Sequence, residues 1–110
     1  MIKYKQRGKN DTFPSEITTW KYGDDVPEWL SDIAKVASID NNTHRISLET
    51  RDTNTGGFEI LDSSGQHVLV RLESKTDILC RDIDPRNKGI TLFSMTPRQL
   101  DLIYVSYGQL

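Results

Sequence analysis

The sequence predicts an α+β fold: a mostly antiparallel sheet of about six short strands, packed by one helix in the N-terminal half, with a short helical turn near the C-terminus. Three observations carry that expectation. The chain has 110 residues, the size of one domain with one core. Short β-branched and aromatic runs alternate with Gly, Asn and Asp turn signals through most of its length. A single stretch, Val26 to Ala37, carries an apolar stripe at helical spacing.

Hydrophobic residues make up 35% and charged residues 27%, and two Trp, three Phe and four Tyr supply apolar area that disordered chains lack. The formal charge of −2 offers no global field for phosphate, so nucleic-acid binding is not favoured without a local basic patch. Cys80 is the only cysteine, which excludes an intrachain disulfide and favours a reducing compartment, the cytoplasm. No apolar h-region follows the N-terminal cations and no run approaches the length of a membrane span, so no membrane association is expected.

Residues 1–15 hold Lys3, Lys5, Arg7 and Lys9, show neither period, and read as a basic, flexible arm; residues 16–110 read as a single α+β domain. Glu16–Tyr22 is β-branched and aromatic, a first strand with Trp20 and Tyr22 on one face. Asp25 and Glu28 then stand at capping-box spacing with Pro27 in the first turn. Trp29, Leu30, Ile33, Val36 and Ala37 form the stripe, so a helix over Val26–Ala37 is predicted, with the acidic cluster Asp24, Asp25, Glu28 and Asp32 serving its dipole.

Beyond Asp40-Asn41-Asn42 the chain reads as strands. Arg45–Thr50 alternates with Ile46 and Leu48 inward; Phe58–Leu61 follows Gly56-Gly57; Asp62–Gly65 is a hairpin loop whose glycine can take positive φ. The returning strand Gln66–Glu73 has Val68, Val70 and Leu72 on one face and His67, Leu69, Arg71 and Glu73 on the other, and is expected to lie centrally with its second face partly covered, as is Asp77–Asp82. Asp84–Gly89 forms a turn before a strand at Ile90–Phe93. Thr96, Pro97 and Gln99 carry the signature of a helix start, giving one turn over Pro97–Asp101 and a closing strand Leu102–Tyr107.

The chemistry-bearing residues have structural readings. His44 and His67 lack a partner at zinc spacing. Cys80 alternates with Ile78 onto a buried strand face, against a role as nucleophile beside either histidine. Asp82 and Asp84, with Asp77 nearby, read as turn chemistry rather than a cation site. Gly56-Gly57 lacks the context of a phosphate-binding loop and reads as a flexible connection, or one that a ligand orders. Ser63, Ser64 and Ser94 sit outside any nucleophile elbow. No catalytic residue, metal or cofactor is expected, and the chain reads as a non-enzyme.

From Trp20 through Pro27, Trp29, Leu30, the Asp62–Gly65 turn, Asp77-Ile78-Leu79, Gly89, Phe93 and Pro97 to Tyr104, the order of features resembles a group of small phage and prophage proteins of unassigned function. Thr76 stands where that pattern has glycine, and Arg81-Asp82 where it has a tighter turn. The resemblance implies a phage or mobile-element setting and no catalytic residues. The leading expectation is an accessory protein that binds a host or phage macromolecule, inhibition of a host system being one form of this, with a protein partner. The alternative is a binder of small anionic ligands or nucleotides through Arg45, Arg71, Arg81 and Arg86. The oligomeric state is left open, a homo-oligomer included.

Overall fold

A computed structural model describes residues 2–109. In chain order the elements are β1 (Ile2–Gln6), β2 (Glu16–Lys21), α1 (Glu28–Ser31), β3 (Val36–Asp40), β4 (Arg45–Leu48), β5 (Thr50–Asp52), β6 (Phe58–Leu61), β7 (Val68–Leu72), β8 (Ile78–Asp82), β9 (Leu92–Met95), α2 (Pro97–Ile103) and β10 (Tyr104–Gln109). Every strand pairing among them is antiparallel, as the sequence predicts, although the strands are more numerous than six. The contacts divide the chain into two compact units: residues 1–21 with 76–110, and residues 22–75.

The first unit is a five-stranded sheet of order β10-β1-β2-β8-β9 with α2. Its core joins Ile17, Ile78, Cys80, Met95, Leu100 and Tyr104, with Phe13 and Phe93 packed against them at a ring separation of 6.1 Å. Cys80 and Ile78 share that buried face, as their alternation predicts. Alternation turns Thr18 and Trp20 to the other face, and both are buried there too; the Thr18 hydroxyl donates to the Ile2 carbonyl at 3.1 Å.

The expectation of an irregular arm over 1–15 is corrected by this sheet. Residues 2–6 form β1, which lies between β10 and β2 and is hydrogen-bonded to both. The Lys-rich run hid the strand because its apolar face, at Tyr4, is completed by Ile17 of β2 and by a strand at the far end of the chain.

At the C-terminal end the capping box forms in full: the Thr96 hydroxyl accepts from Gln99 N, and the Gln99 side chain accepts from Thr96 N. The helix runs to Ile103, longer than one turn, and passes directly into β10, whose side chain of Tyr104 reaches into the core.

The second unit holds α1, the β3–β4 ribbon and a three-stranded sheet of order β5-β6-β7. Trp29, Leu30, Ala34, Phe58, Ile60, Leu61 and Leu72 are its buried apolar side chains, and Tyr22 meets the Phe58 ring edge-on at 5.1 Å. Here the predicted helix is shortened. It covers four residues and starts two positions after the expected cap, with Pro27, which has no side-chain acceptor, as its N-cap; Asp25 pairs with Arg45 at 3.3 Å. After Leu30 accepts from Ile33 and Ala34, Lys35 N donates to Leu61 O and the chain enters β3. Val36 and Ile39 face Leu48 and Ile46 across the ribbon, so tertiary pairing of β-branched residues overrides the helical stripe.

Two further strand expectations change. Arg45–Thr50 divides at Glu49, whose N donates to Lys35 O. The run 66–73 is not central: β7 is an edge, and β6 holds the middle with three of its four residues buried. Val68 at its start is 42% exposed while Leu72 at its end is buried. The Asp62–Gly65 turn forms as expected, with Gly65 at φ 75.

Candidate interaction surface

Of the residues singled out for catalysis or metal binding, Cys80 belongs to the first unit and His44 and His67 to the second. Cys80 is fully buried and donates weakly to the Ile78 carbonyl at 3.7 Å; burial pushes its thiol up to about 12, so it is protonated at neutral pH. His44 occupies the β3–β4 turn at φ 57 and His67 the turn before β7, both exposed. Among the described residues no three His, Cys, Asp or Glu side chains stand close enough to hold a metal ion. Among the described residues no helix is long and apolar enough to cross a membrane.

The four arginines of the anionic-ligand reading are divided between the two units. Arg45 and Arg71 belong to the second unit and pair with Asp25 and Glu73; Arg81 lies in β8 of the first unit, and Arg86 in the loop after it, paired with Asp84. Gly56 and Gly57 are not a loose connection. Residues 53–57 close on themselves, with Thr53 N donating to Gly57 O and Gly57 N to the Thr53 hydroxyl, both at 3.0 Å. A Cβ on Gly57 would lie 2.1 Å from the Leu72 carbonyl oxygen, so this glycine permits close backbone approach.

The structure does assemble a polar surface at one end of the five-stranded sheet. Register places Gln6 opposite Tyr104, Lys5 opposite Glu16, Ile17 opposite Asp82 and Arg81 opposite Leu92. Thus β1 and β8 end where β2, β9 and β10 begin, and the loops 7–15 and 83–91 lie side by side with the α2–β10 junction.

Side chains hold these loops. Gln6 Nε2 donates to the carbonyls of Asn10 and Phe13, and its Oε1 accepts from Asn10 N. The buried Tyr104 hydroxyl donates to Pro14 O at 2.5 Å; burial, with Cys80 beside it, pushes that phenol up to about 12. Arg7 bridges to the helix, its N donating to Ile103 O and its Nε to Asp101 O at 2.7 Å.

In the second loop Asp82 accepts from Asp84 N and from Asn87 Nδ2, and Asn87 Oδ1 accepts from Gly89 N. Asp84 accepts from Arg86 N and, as an ion pair at 2.7 Å, from the Arg86 guanidinium. Those Arg86 bonds hold the Asp84 carboxyl down at about 2. Asp82 and Asp84 are therefore turn-forming residues, in line with their spacing in the sequence. The Asp84 side chain is 19% exposed and that of Arg86 is 86% exposed, so the carboxylate is tucked in while the guanidinium is displayed.

Charge distinguishes the two units more sharply than composition does. Among the described residues of the first unit, Lys5, Arg7, Lys9, Lys21, Arg86, Lys88 and Arg98 are exposed, against only Asp11 and Asp101 among the carboxylates. In the second unit the four exposed cations, Arg45, Arg51, Arg71 and Lys75, each have a carboxylate partner between 3.3 and 3.7 Å. Arg7, Lys9, Arg86 and Lys88 all belong to the loop-bearing end. That concentration escapes a whole-chain charge of −2 because the basic unit is built from two separated segments. Charge counted separately for residues 1–21 and 76–110 would have revealed it.

No family model matches the chain, and comparison with curated proteins and with solved structures finds no match.

Proposed function

We propose that this chain is a non-enzymatic accessory protein of a phage or other mobile element, acting in the bacterial host cytoplasm by binding a host or phage macromolecule through the loop-bearing end of its five-stranded sheet. The phage setting rests on the order of features from Trp20 to Tyr104 described above. The contact surface rests on one observation: two adjacent loops are fixed by their own side chains while displaying four exposed cations. Loops held in one conformation lose little entropy on binding, which is the condition for a surface to bind rather than merely to tolerate solvent.

Site-directed crosslinking tests the reading. Buried Cys80 does not compete with an added exposed thiol, so Thr12→Cys can carry a maleimide photocrosslinker at the loop end, and Ser38→Cys serves as a control on the β3–β4 ribbon. In a bacterial lysate, adducts of defined mass are expected from position 12 and not from position 38. Adducts only from position 38, or from neither, would refute it.

A further inference from the structure

We infer that two copies of this chain associate through the outer edge of β4, antiparallel and in a register centred on Ser47. An open sheet edge presents unpaired N–H and C=O groups to any further strand, and soluble proteins blunt such edges with bulges, prolines, lysines or shortness. Three edge strands here carry a bulge, the register stepping over Ala37 in β3, Leu69 in β7 and Tyr107 in β10. Of the others, β9 runs into Thr96-Pro97, and β5 has three residues of which Arg51 and Asp52 are exposed charges. The edge of β4 has no bulge, lysine or proline.

Backbone direction makes that edge available. Glu49 N donates to Lys35 O, on the β3 side, and alternation along the strand turns the N–H and C=O of Ile46 and Leu48 away from β3. Among the described residues no backbone bond reaches them from that side. The ribbon is also short of strands. Val36, Ile39, Ile46 and Leu48 share one face, three of them half-buried and Ile39 59% exposed. A lone two-stranded ribbon is marginally stable in water, and three or more strands support an apolar face.

The order of residues names the occupant. Arg45-Ile46-Ser47-Leu48-Glu49 runs cation, apolar, polar, apolar, anion, so it complements itself when reversed. Centred on Ser47, a second copy sets Ile46 against Leu48 twice and Arg45 against Glu49 twice, with Ile46 and Leu48 exchanging the new backbone bonds. The apolar faces then join in one sheet of order β3-β4-β4-β3. Glu49 is exposed, with no ion pair among the described residues. Arg45 directs Nε to Asp25 and one terminal nitrogen to the Gly23 carbonyl, and the other terminal nitrogen can meet the carboxylate of the second copy. Neighbouring registers fit less well. Centring on Leu48 opposes Arg45 to Arg51 of the second copy, and centring on Ile46 sets Leu48 against the turn at His44.

The contact is short against the roughly 1,200 Å² at which stable interfaces begin, so the dimer is weak and forms on concentration. It is independent of the loop-end reading, which a monomer satisfies equally. At the dilution of a lysate the chain is monomeric, and Ser38→Cys remains a control there.

Analytical ultracentrifugation and amide hydrogen exchange of the full-length chain, over a roughly hundredfold range of concentration, carry a weak dimer from minor to major species. The mean mass should rise from one chain toward two, and exchange at Ile46 and Leu48 should slow as it does. Ser47→Lys opposes two ammonium groups at the centre, and Glu49→Arg opposes cations in both outer pairs; each should raise the dissociation constant on the order of tenfold. Arg45→Glu opposes anions there and should do the same. An equimolar mixture of Glu49→Arg with Arg45→Glu should recover wild-type association, because every outer pair again joins opposite charges. All three side chains are exposed, so an unchanged amide spectrum at the lowest concentration verifies each fold.

A single chain at every concentration would overturn the inference, and the wild-type dilution decides this without any variant. A dimer that Ser47→Lys and Glu49→Arg leave intact would overturn it by placing the contact elsewhere. A mixture that associates no better than its components would overturn it by removing the register.

Discussion

Replacing Gly57 by Ala separates a glycine needed for space from one needed for backbone conformation. At Gly57 the added Cβ would lie 2.1 Å from Leu72 O, 2.7 Å from the Glu73 carbonyl carbon and 2.8 Å from its oxygen, all backbone atoms of β7 and the residue after it. No rotamer change relieves such contacts, so β6 and β7 must separate where Phe58 pairs with Leu72. Overpacking in a closed core costs about 1–3 kcal/mol, and rigid backbone on the receiving side places Gly57→Ala at or above the top of that range, about 3 kcal/mol.

Gly56 is the internal control. Its φ is 91 and nothing lies within 4 Å of an added Cβ, so Gly56→Ala carries only the left-handed penalty, about 1–2 kcal/mol. Urea unfolding followed through the amide peaks of Ile60 and Leu72 reads the second unit itself. The expected order is wild type, Gly56→Ala, then Gly57→Ala. If Gly57→Ala were no more costly than Gly56→Ala, the close approach would be wrong and residues 53–57 would be the loose connection that the paired glycines alone imply.

Four other outcomes follow from the same contacts. Thr96→Ala removes the capping-box acceptor of α2 and should cost about 1 kcal/mol in urea unfolding. Tyr104→Phe strips Pro14 O of its donor and should cost about 1–2 kcal/mol, with hydrogen exchange accelerating over residues 10–15. Asp84 has a folded pKa of about 2, below the usual value near 3.9; its bonds to Arg86 therefore stabilise the loop fully above the unfolded value and are lost as pH falls toward 2, which amide shifts at Arg86 and Asn87 will report. Cys80 should resist alkylation in the native state at pH 8 and react only at the rate of unfolding; because its folded pKa is raised, stability falls as pH rises above the unfolded value near 8.5.

What was legible in the sequence was chemistry that acts within a few residues. The Thr96–Gln99 box and the positive φ of Gly65 follow from residues at most a few positions apart, and the bounds of β6 from the apolar run between Gly57 and Asp62. Cys80 was placed correctly because alternation with Ile78 is also local. What escaped was set by distant partners. Nothing near Ile2–Gln6 marks a strand that pairs with residues 104–109, and nothing near Val36 announces that Leu48 will compete for it against the helix. The edge position of β7 likewise depends on strand order, which an apolar run does not encode. For the candidate surface, each charge was visible and their grouping was not, since residues 7–9 and 86–88 come to the same end of the sheet only when β1, β2, β8 and β9 align.

The contrast in ion pairing bears on function because stability does not account for it. Exposed pairs such as Arg51–Glu59 or Lys75–Asp52 contribute at most about 1 kcal/mol each, so pairing more of the first unit's exposed cations would have changed its stability little. At its loop end Asp82 and Asp84 are drawn into the loop framework, Arg86 pairs with Asp84, and Asp11 and Asp101 are exposed beside Arg7, Lys9 and Lys88. Loops held in this way add little ordering cost at contact, and the bonds from Gln6, Asp82, Asn87 and Tyr104 are what hold them.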